Sequence, residues 1–275
     1  MTSPAEREGA RDGGPVTAAG TGTGTDGVTE PAAADAGADG AWWAALRQRT
    51  QARIGLGRAG AALPTRHRLA LQAAHAAARD AVHAPFDPEA VAAALPAMPT
   101  VRVRSAAPDR LTYLQRPDLG RRLDDAAGAA LPRGGWDVVF VVADGLSSRA
   151  VHAHAAAVVL ATTALLDDMT IAPVVLAEQA RVALGDEIAD VMGATTAVVL
   201  IGERPGMSAA DSLGAYLTYA PRPGRTTDAD RNCVSNIRPP LGLSHEAAAA
   251  TLAGLVRRAA ELGAGGVALK DEPAS

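Results

Sequence analysis

Three carboxylates stand at the ends of three apolar runs. Asp144 closes Asp137-Val-Val-Phe-Val-Val-Ala143, Glu178 closes Ala172-Pro-Val-Val-Leu-Ala177, and Glu203 follows Ala197-Val-Val-Leu-Ile-Gly202. A carboxylate so placed can accept hydrogen bonds from the amides or hydroxyls of a ligand. Glu203 lies in Gly202-Glu-Arg-Pro-Gly206, an acid beside a base among turn residues. That pattern is open to two readings, a ligand contact or a Glu-Arg pair with no ligand. Cys233, in Arg231-Asn-Cys-Val-Ser-Asn-Ile-Arg238, reads first as a small buried hydrophobe.

Other patterns weaken when their context is tested. Gly145-Leu-Ser-Ser-Arg149 places a serine after a strand, yet Arg149 stands where a nucleophile elbow needs its closing glycine. Ser147 therefore reads as a helix N-cap. Gly55-Leu-Gly-Arg-Ala-Gly60 matches GxGxxG, with Asp80 twenty residues on, and would make the chain an NAD-dependent oxidoreductase. The fingerprint needs a strand leading into the glycines, whereas a helix is expected before them, so a turn between helices is the better reading. The six histidines, His67, His75, His83, His152, His154 and His245, form no i, i+4 pair and no HExxH, and no metal site is expected. No complete catalytic set is expected either.

The elements that must position these groups follow from periodicity. Continuous β-branched runs are how parallel strands covered on both faces read. With helical stretches between them the pattern is βαβαβ, and right-handed crossovers bring Asp144, Glu178 and Glu203 to one sheet edge, where open parallel sheets bind ligands. The fold class is α/β, a doubly wound, mostly parallel, Rossmann-like sheet with a helical N-terminal extension. Residues 1–40 are expected to form a disordered tail, 41–98 a helical region and 99–275 the α/β domain. Helices are predicted near 41–54, from Thr65 as N-cap to His83, over Asp118–Leu131, across Ala150–Leu166 and from Ser244 to Leu262. Strands are predicted at Thr100–Arg104 and, last, Gly266–Lys270. Residues 211–240 read as a long polar loop, suited to a lid, a binding loop or an interface.

Composition bounds the function. Residues 1–40 contain no Leu, Ile, Phe, Trp or Tyr and cannot bury enough apolar surface to offset chain entropy. Their seven acids and two arginines leave the rest of the chain with 24 basic and 23 acidic residues, which argues against a nucleic-acid partner. One cysteine excludes an intramolecular disulfide. With no run of roughly 20 apolar residues to span a bilayer, no membrane association is expected and a cytoplasmic location is. The adjacent Trp42 and Trp43 suggest docking to a partner.

Several ordered blocks carry a resemblance: Arg53-Ile-Gly-Leu-Gly-Arg-Ala-Gly60, Asp144-Gly-Leu-Ser147, Glu178-Gln-Ala-Arg-Val-Ala-Leu-Gly-Asp-Glu187, Gly202-Glu-Arg-Pro-Gly-Met-Ser208, Asp211-Ser-Leu-Gly-Ala-Tyr-Leu-Thr-Tyr219 and Arg231-Asn-Cys-Val-Ser-Asn-Ile-Arg-Pro239. From about Arg53 to Glu272 the chain resembles the small subunit of ethanolamine ammonia-lyase. The resemblance implies a lyase converting ethanolamine to acetaldehyde and ammonia. It implies activity only in a hetero-oligomer with a large subunit that carries the substrate pocket, and adenosylcobalamin held between the two. It places cobalamin contacts at Val182, Glu203 and Cys233. Asp-x-His-x-x-Gly is absent, so the cofactor's own base is expected to stay on the cobalt. Sequence does not decide whether such a complex is enclosed in a bacterial microcompartment.

Overall fold

The computed structural model describes residues 38–269; residues 1–37, most of the expected tail, lie outside it. A first unit, up to residue 50, carries α1, Ala38–Arg47. The second begins at residue 51 with α2, Thr65–His83, and α3, Pro88–Ala93. It continues with β1, Thr100–Arg104; α4, Arg110–Gln115; and β2, Trp136–Ala143. A long crossover follows, made of α5, Ser148–Ala150, a π-turn over Val151–Ala155 and α6, Ala156–Ala164. Then come β3, Val174–Glu178; α7, Leu184–Met192; β4, Ala194–Gly202; β5, Leu213–Tyr219; β6, Arg231–Ile237; and α8, His245–Leu262.

The six strands form one sheet in the order β1-β3-β2-β4-β5-β6. The first four are parallel, while β5 and β6 join antiparallel, so the sheet is mixed. β2 shows why its sequence is apolar throughout. Val138, Phe140 and Val142 face a layer containing Val158 and Leu252 of α6 and α8, and Val139, Val141 and Ala143 face Leu184, Ile188 and Met192 of α7. All six of these β2 side chains are fully buried. At about 1.5–3 kcal/mol for each large side chain withdrawn from water, this strand is a main source of cohesion. Residues Ala143, Ala177 and Ile201 are paired neighbours, so the three acids do fall along one edge.

Four expectations are corrected. Residues 211–240 are not a loop: they hold the β5–β6 hairpin, which backbone pairing supports although β6 has few apolar residues. Residues 118–131 make only two 3-10 turns, Leu119–Arg121 and Ala127–Ala130, because tertiary partners take their backbone groups. Gly120 O accepts from Arg181 N at 2.7 Å and Leu123 N donates to Glu187 Oε2 at 2.6 Å. The expected last strand is a 3-10 turn at Gly266–Ala268, held by the Asn232 side chain, which accepts from Gly266 N and donates to the Gly266 and Leu269 carbonyls. Thr65 is not a cap; Pro64 occupies that position without a side-chain bond.

Asp144 is the joint of the carboxyl edge. Its buried oxygens accept from Gln179 N and Ala180 N, both at 3.0 Å, and from Arg110 Nη1 at 3.2 Å. Arg110 also donates to Val82 O and Gly145 O, so α2, α4 and the ends of β2 and β3 meet there. Burial pushes the Asp144 carboxyl up to about 6, while the Ala180 amide, Arg110 and the Gln179 amide pull it down. Asp144→Ala would leave two amides and a guanidinium without their acceptor. Urea unfolding at pH 7 is expected to show a loss of about 3–5 kcal/mol, the usual cost of breaking a buried pair.

Candidate functional site

Two clefts open along the carboxyl edge and share Arg181, Val182 and Tyr216 in their walls. The first, about 420 Å³, also has Gly145, Leu146, Glu203 and Arg204. It lies where the chain, having gone from β2 to β3, crosses back past β2 to β4, the switch of strand order at which open sheets form crevices. The second, about 550 Å³, has Cys233, Arg121, Arg231 and Asp228. Val182, Glu203 and Cys233, from three separate segments, therefore line two adjoining clefts with a shared wall, together called the trough. Glu178 lines neither cleft, and Asp144 is consumed in holding the edge together.

Glu203 is fixed by two hydroxyls. Ser212 donates to its Oε2 at 2.5 Å and Ser235 to its Oε1 at 2.6 Å, while Glu203 N donates to Ser212 O. Gly214, on β5, makes room for it: a Cβ there would come within 3.0 Å of Glu203 Oε1. Each carboxylate oxygen keeps acceptor capacity for an incoming N–H. Arg204 makes no ion pair with Glu203, so the two-residue pair considered from sequence does not form.

Tyr216 and Cys233 are cross-strand partners on β5 and β6, which sets their side chains beside one another. Cys233 is exposed as a residue because β6 is an edge strand, which corrects the buried-hydrophobe reading. Desolvation nevertheless raises the thiol pKa; the Tyr216 hydroxyl lowers it, and Glu203 adds to the rise. Burial together with the Cys233 thiol pushes Tyr216 up to about 12. Between the clefts the guanidinium carbon of Arg181 lies 4.4 Å from the Tyr113 ring centre, and that of Arg110 lies 4.8 Å from it. Sequence reasoning missed Tyr216, Arg181 and the two serines. Tyr216 could have been found only by recognising β5, since alternate residues of a strand share a face.

The remaining candidates are structural. Ser147 is buried, caps α5 by accepting from Ala150 N, and donates to Ala210 O at 2.8 Å. Gly55, Gly57 and Gly60 have φ of 59°, 73° and 63° and precede α2 with no strand leading in, so the dinucleotide context is missing. His154 Nδ1 lies 3.0 Å from His245 Nε2, and His152 accepts from Asp87 N. Among the described residues no His, Cys, Asp and Glu group could hold a metal ion, and no helix is long and apolar enough to cross a membrane.

Residues 40–270 match the model of the ethanolamine ammonia-lyase light chain (EutC). The chain belongs to the ethanolamine ammonia-lyase light-chain family. It is 54% identical over 239 residues to the ethanolamine ammonia-lyase small subunit of Ralstonia nicotianae, covering 83% of this chain and 88% of that one. To the small subunit of Rhodococcus erythropolis it is 53% identical over 234 residues, 84% and 90% of the two chains. To that of Xanthomonas campestris pv. campestris it is 53% identical over 240 residues, 84% and 88%.

The thiol of this light chain gives a direct reading of the trough, because Cys233 is its one cysteine. Iodoacetamide is expected to alkylate it at pH 8 more slowly than a free thiol, since less thiolate is present. Tyr216→Phe removes the hydroxyl that lowers the thiol pKa, so alkylation should slow further, by roughly two- to tenfold. Faster alkylation in that variant would show that the hydroxyl does not stabilise the thiolate.

Proposed function

We propose that this light chain acts with a large subunit as an ethanolamine ammonia-lyase, releasing acetaldehyde and ammonia, and that its carboxyl-edge trough holds adenosylcobalamin against that partner. The observation that carries the cofactor reading is the convergence of Val182, Glu203 and Cys233 on one trough. Its chemistry fits a corrin. Leu146, Val182 and Ile201 give apolar surface for a ring, and Glu203, held by two hydroxyls, offers acceptor lone pairs to amide groups at the ring's rim. Gly214 leaves the space that the carboxylate occupies.

When bound, the cofactor supplies the radical chemistry through its cobalt-carbon bond. The chain's own residues bind, orient and exclude water. Glu203 accepts hydrogen bonds, Val182 and the Tyr216–Cys233 pair close the wall, and none acts on substrate. No histidine lines either cleft, so these residues would offer no imidazole to the cobalt. The large subunit is offered apolar surface by Leu63, Leu69, Leu71 and Met207, all more than one-third exposed. The edge-to-face Trp42–Trp43 pair of α1 is a second docking element.

Ammonia release from ethanolamine, measured with this chain, its large subunit and adenosylcobalamin together and with each omitted, is expected to require all three. Full activity without this chain would remove it from the reaction. Glu203→Ala is expected to raise the cobalamin dissociation constant of the complex by about 10- to 100-fold, the worth of one hydrogen bond to a charged group. Subunit assembly by size-exclusion chromatography should not change. Equal affinity in equilibrium dialysis would exclude Glu203 as a contact.

A further inference from the structure

Behind the second cleft lies a charge pair that the binding role leaves unexplained. Arg231 Nη1 donates to Asp186 Oδ1 and Arg231 Nη2 to Asp186 Oδ2, both at 2.7 Å, and the two side chains are only 5% and 4% exposed. Arg231 Nη1 also donates to the buried Thr218 hydroxyl at 2.7 Å. Asp186 sits in the first turn of α7, four residues after Val182, and the intervening backbone is already wound, with Gly185 N donating to Val182 O and Asp186 N to Ala183 O. Arg231 opens β6 two residues before Cys233, on the same strand face. The pair thus ties one wall of the trough to the other. Otherwise α7 packs on β4, and β4 reaches β6 through β5.

A buried ion pair is a poor way to gain stability, since apolar residues of similar volume usually serve as well. A bidentate fork, by contrast, sets both distance and orientation, which a non-directional apolar contact does not. We propose that Asp186 and Arg231 are positioning residues that fix the separation between the Val182 turn and the Cys233 strand, and so the width of the trough for a planar ligand. This rests on the cofactor reading above. Misplacement by a fraction of an ångström to an ångström is enough to weaken a preorganised site by one to two orders of magnitude.

The test uses the assembled complex with the large subunit. Asp186→Leu/Arg231→Met replaces the pair with apolar volume, and Arg231→Lys keeps the charge without the fork. For each, adenosylcobalamin affinity is measured by equilibrium dialysis, its KM and kcat by ammonia release, and Tm by scanning fluorimetry. Both variants are expected to raise the cofactor dissociation constant and KM by roughly tenfold or more, with kcat at saturating cofactor within about twofold of wild type. The affinity loss should exceed anything the Tm accounts for, and the double variant should keep a near-native Tm. Wild-type affinity in the double variant, or in Arg231→Lys if the double variant does not assemble, overturns the proposal. Glu203→Ala separates the two readings. If it loses affinity and the pair variants do not, only the positioning role fails; if neither does, the cofactor reading fails with it.

Discussion

The carboxyl edge of this protein depends on Asp144. A strand buried on both faces ends there in a carboxylate that cannot reach water, and it has to find its donors within the protein. It finds them in the amides that follow β3 and in Arg110 of α4. Those contacts hold Gln179 at a φ of 53° and carry the chain into the Arg181-Val182 turn. They also bring Arg110 over the Tyr113 ring that supports Arg181. On the other side Gly145 packs so closely on β4 that a Cβ there would lie 2.4 Å from Gly202 O. The residue just after Gly202 is Glu203. One buried acid thus determines where two of the three trough segments begin.

The third segment comes from the antiparallel end of the sheet. Parallel strands deliver their loops to the carboxyl edge, but a hairpin delivers side chains from its face. Tyr216 and Cys233 project from paired positions of β5 and β6, and Ser235 reaches Glu203 from the same strand as Cys233. The mixed sheet is therefore what gives the trough a wall of side chains beside its floor of loops. It also leaves an edge strand whose Cys233 thiol feels the Glu203 charge.

Legibility followed the strength of the packing signal. The β2, β3 and β4 runs were readable because two-sided burial demands apolar residues at every position. α2, α8 and the Ser147 cap were readable because caps and breakers are local. The hairpin was hidden, since Arg231-Asn-Cys-Val-Ser-Asn-Ile237 places polar residues at exposed and half-buried positions and gains its order from backbone pairing with β5. The 118–131 segment misled because its helical composition is outweighed by tertiary bonds to Arg181, Glu187, Arg104 and Ala106.

By itself the sequence determined the α/β class, the three acid-tipped strands, the extents of the two long helices and the family blocks that contain Val182, Glu203 and Cys233. These depend on neighbours within one turn or one strand, whose chemistry is written in order along the chain. Only the tertiary structure decided which acid was structural and which faced the trough, that the sheet turned antiparallel, and that Asp186 met Arg231 across 45 residues. Those outcomes depend on which distant groups compete for the same buried donors and acceptors, and strand order and register settle that competition.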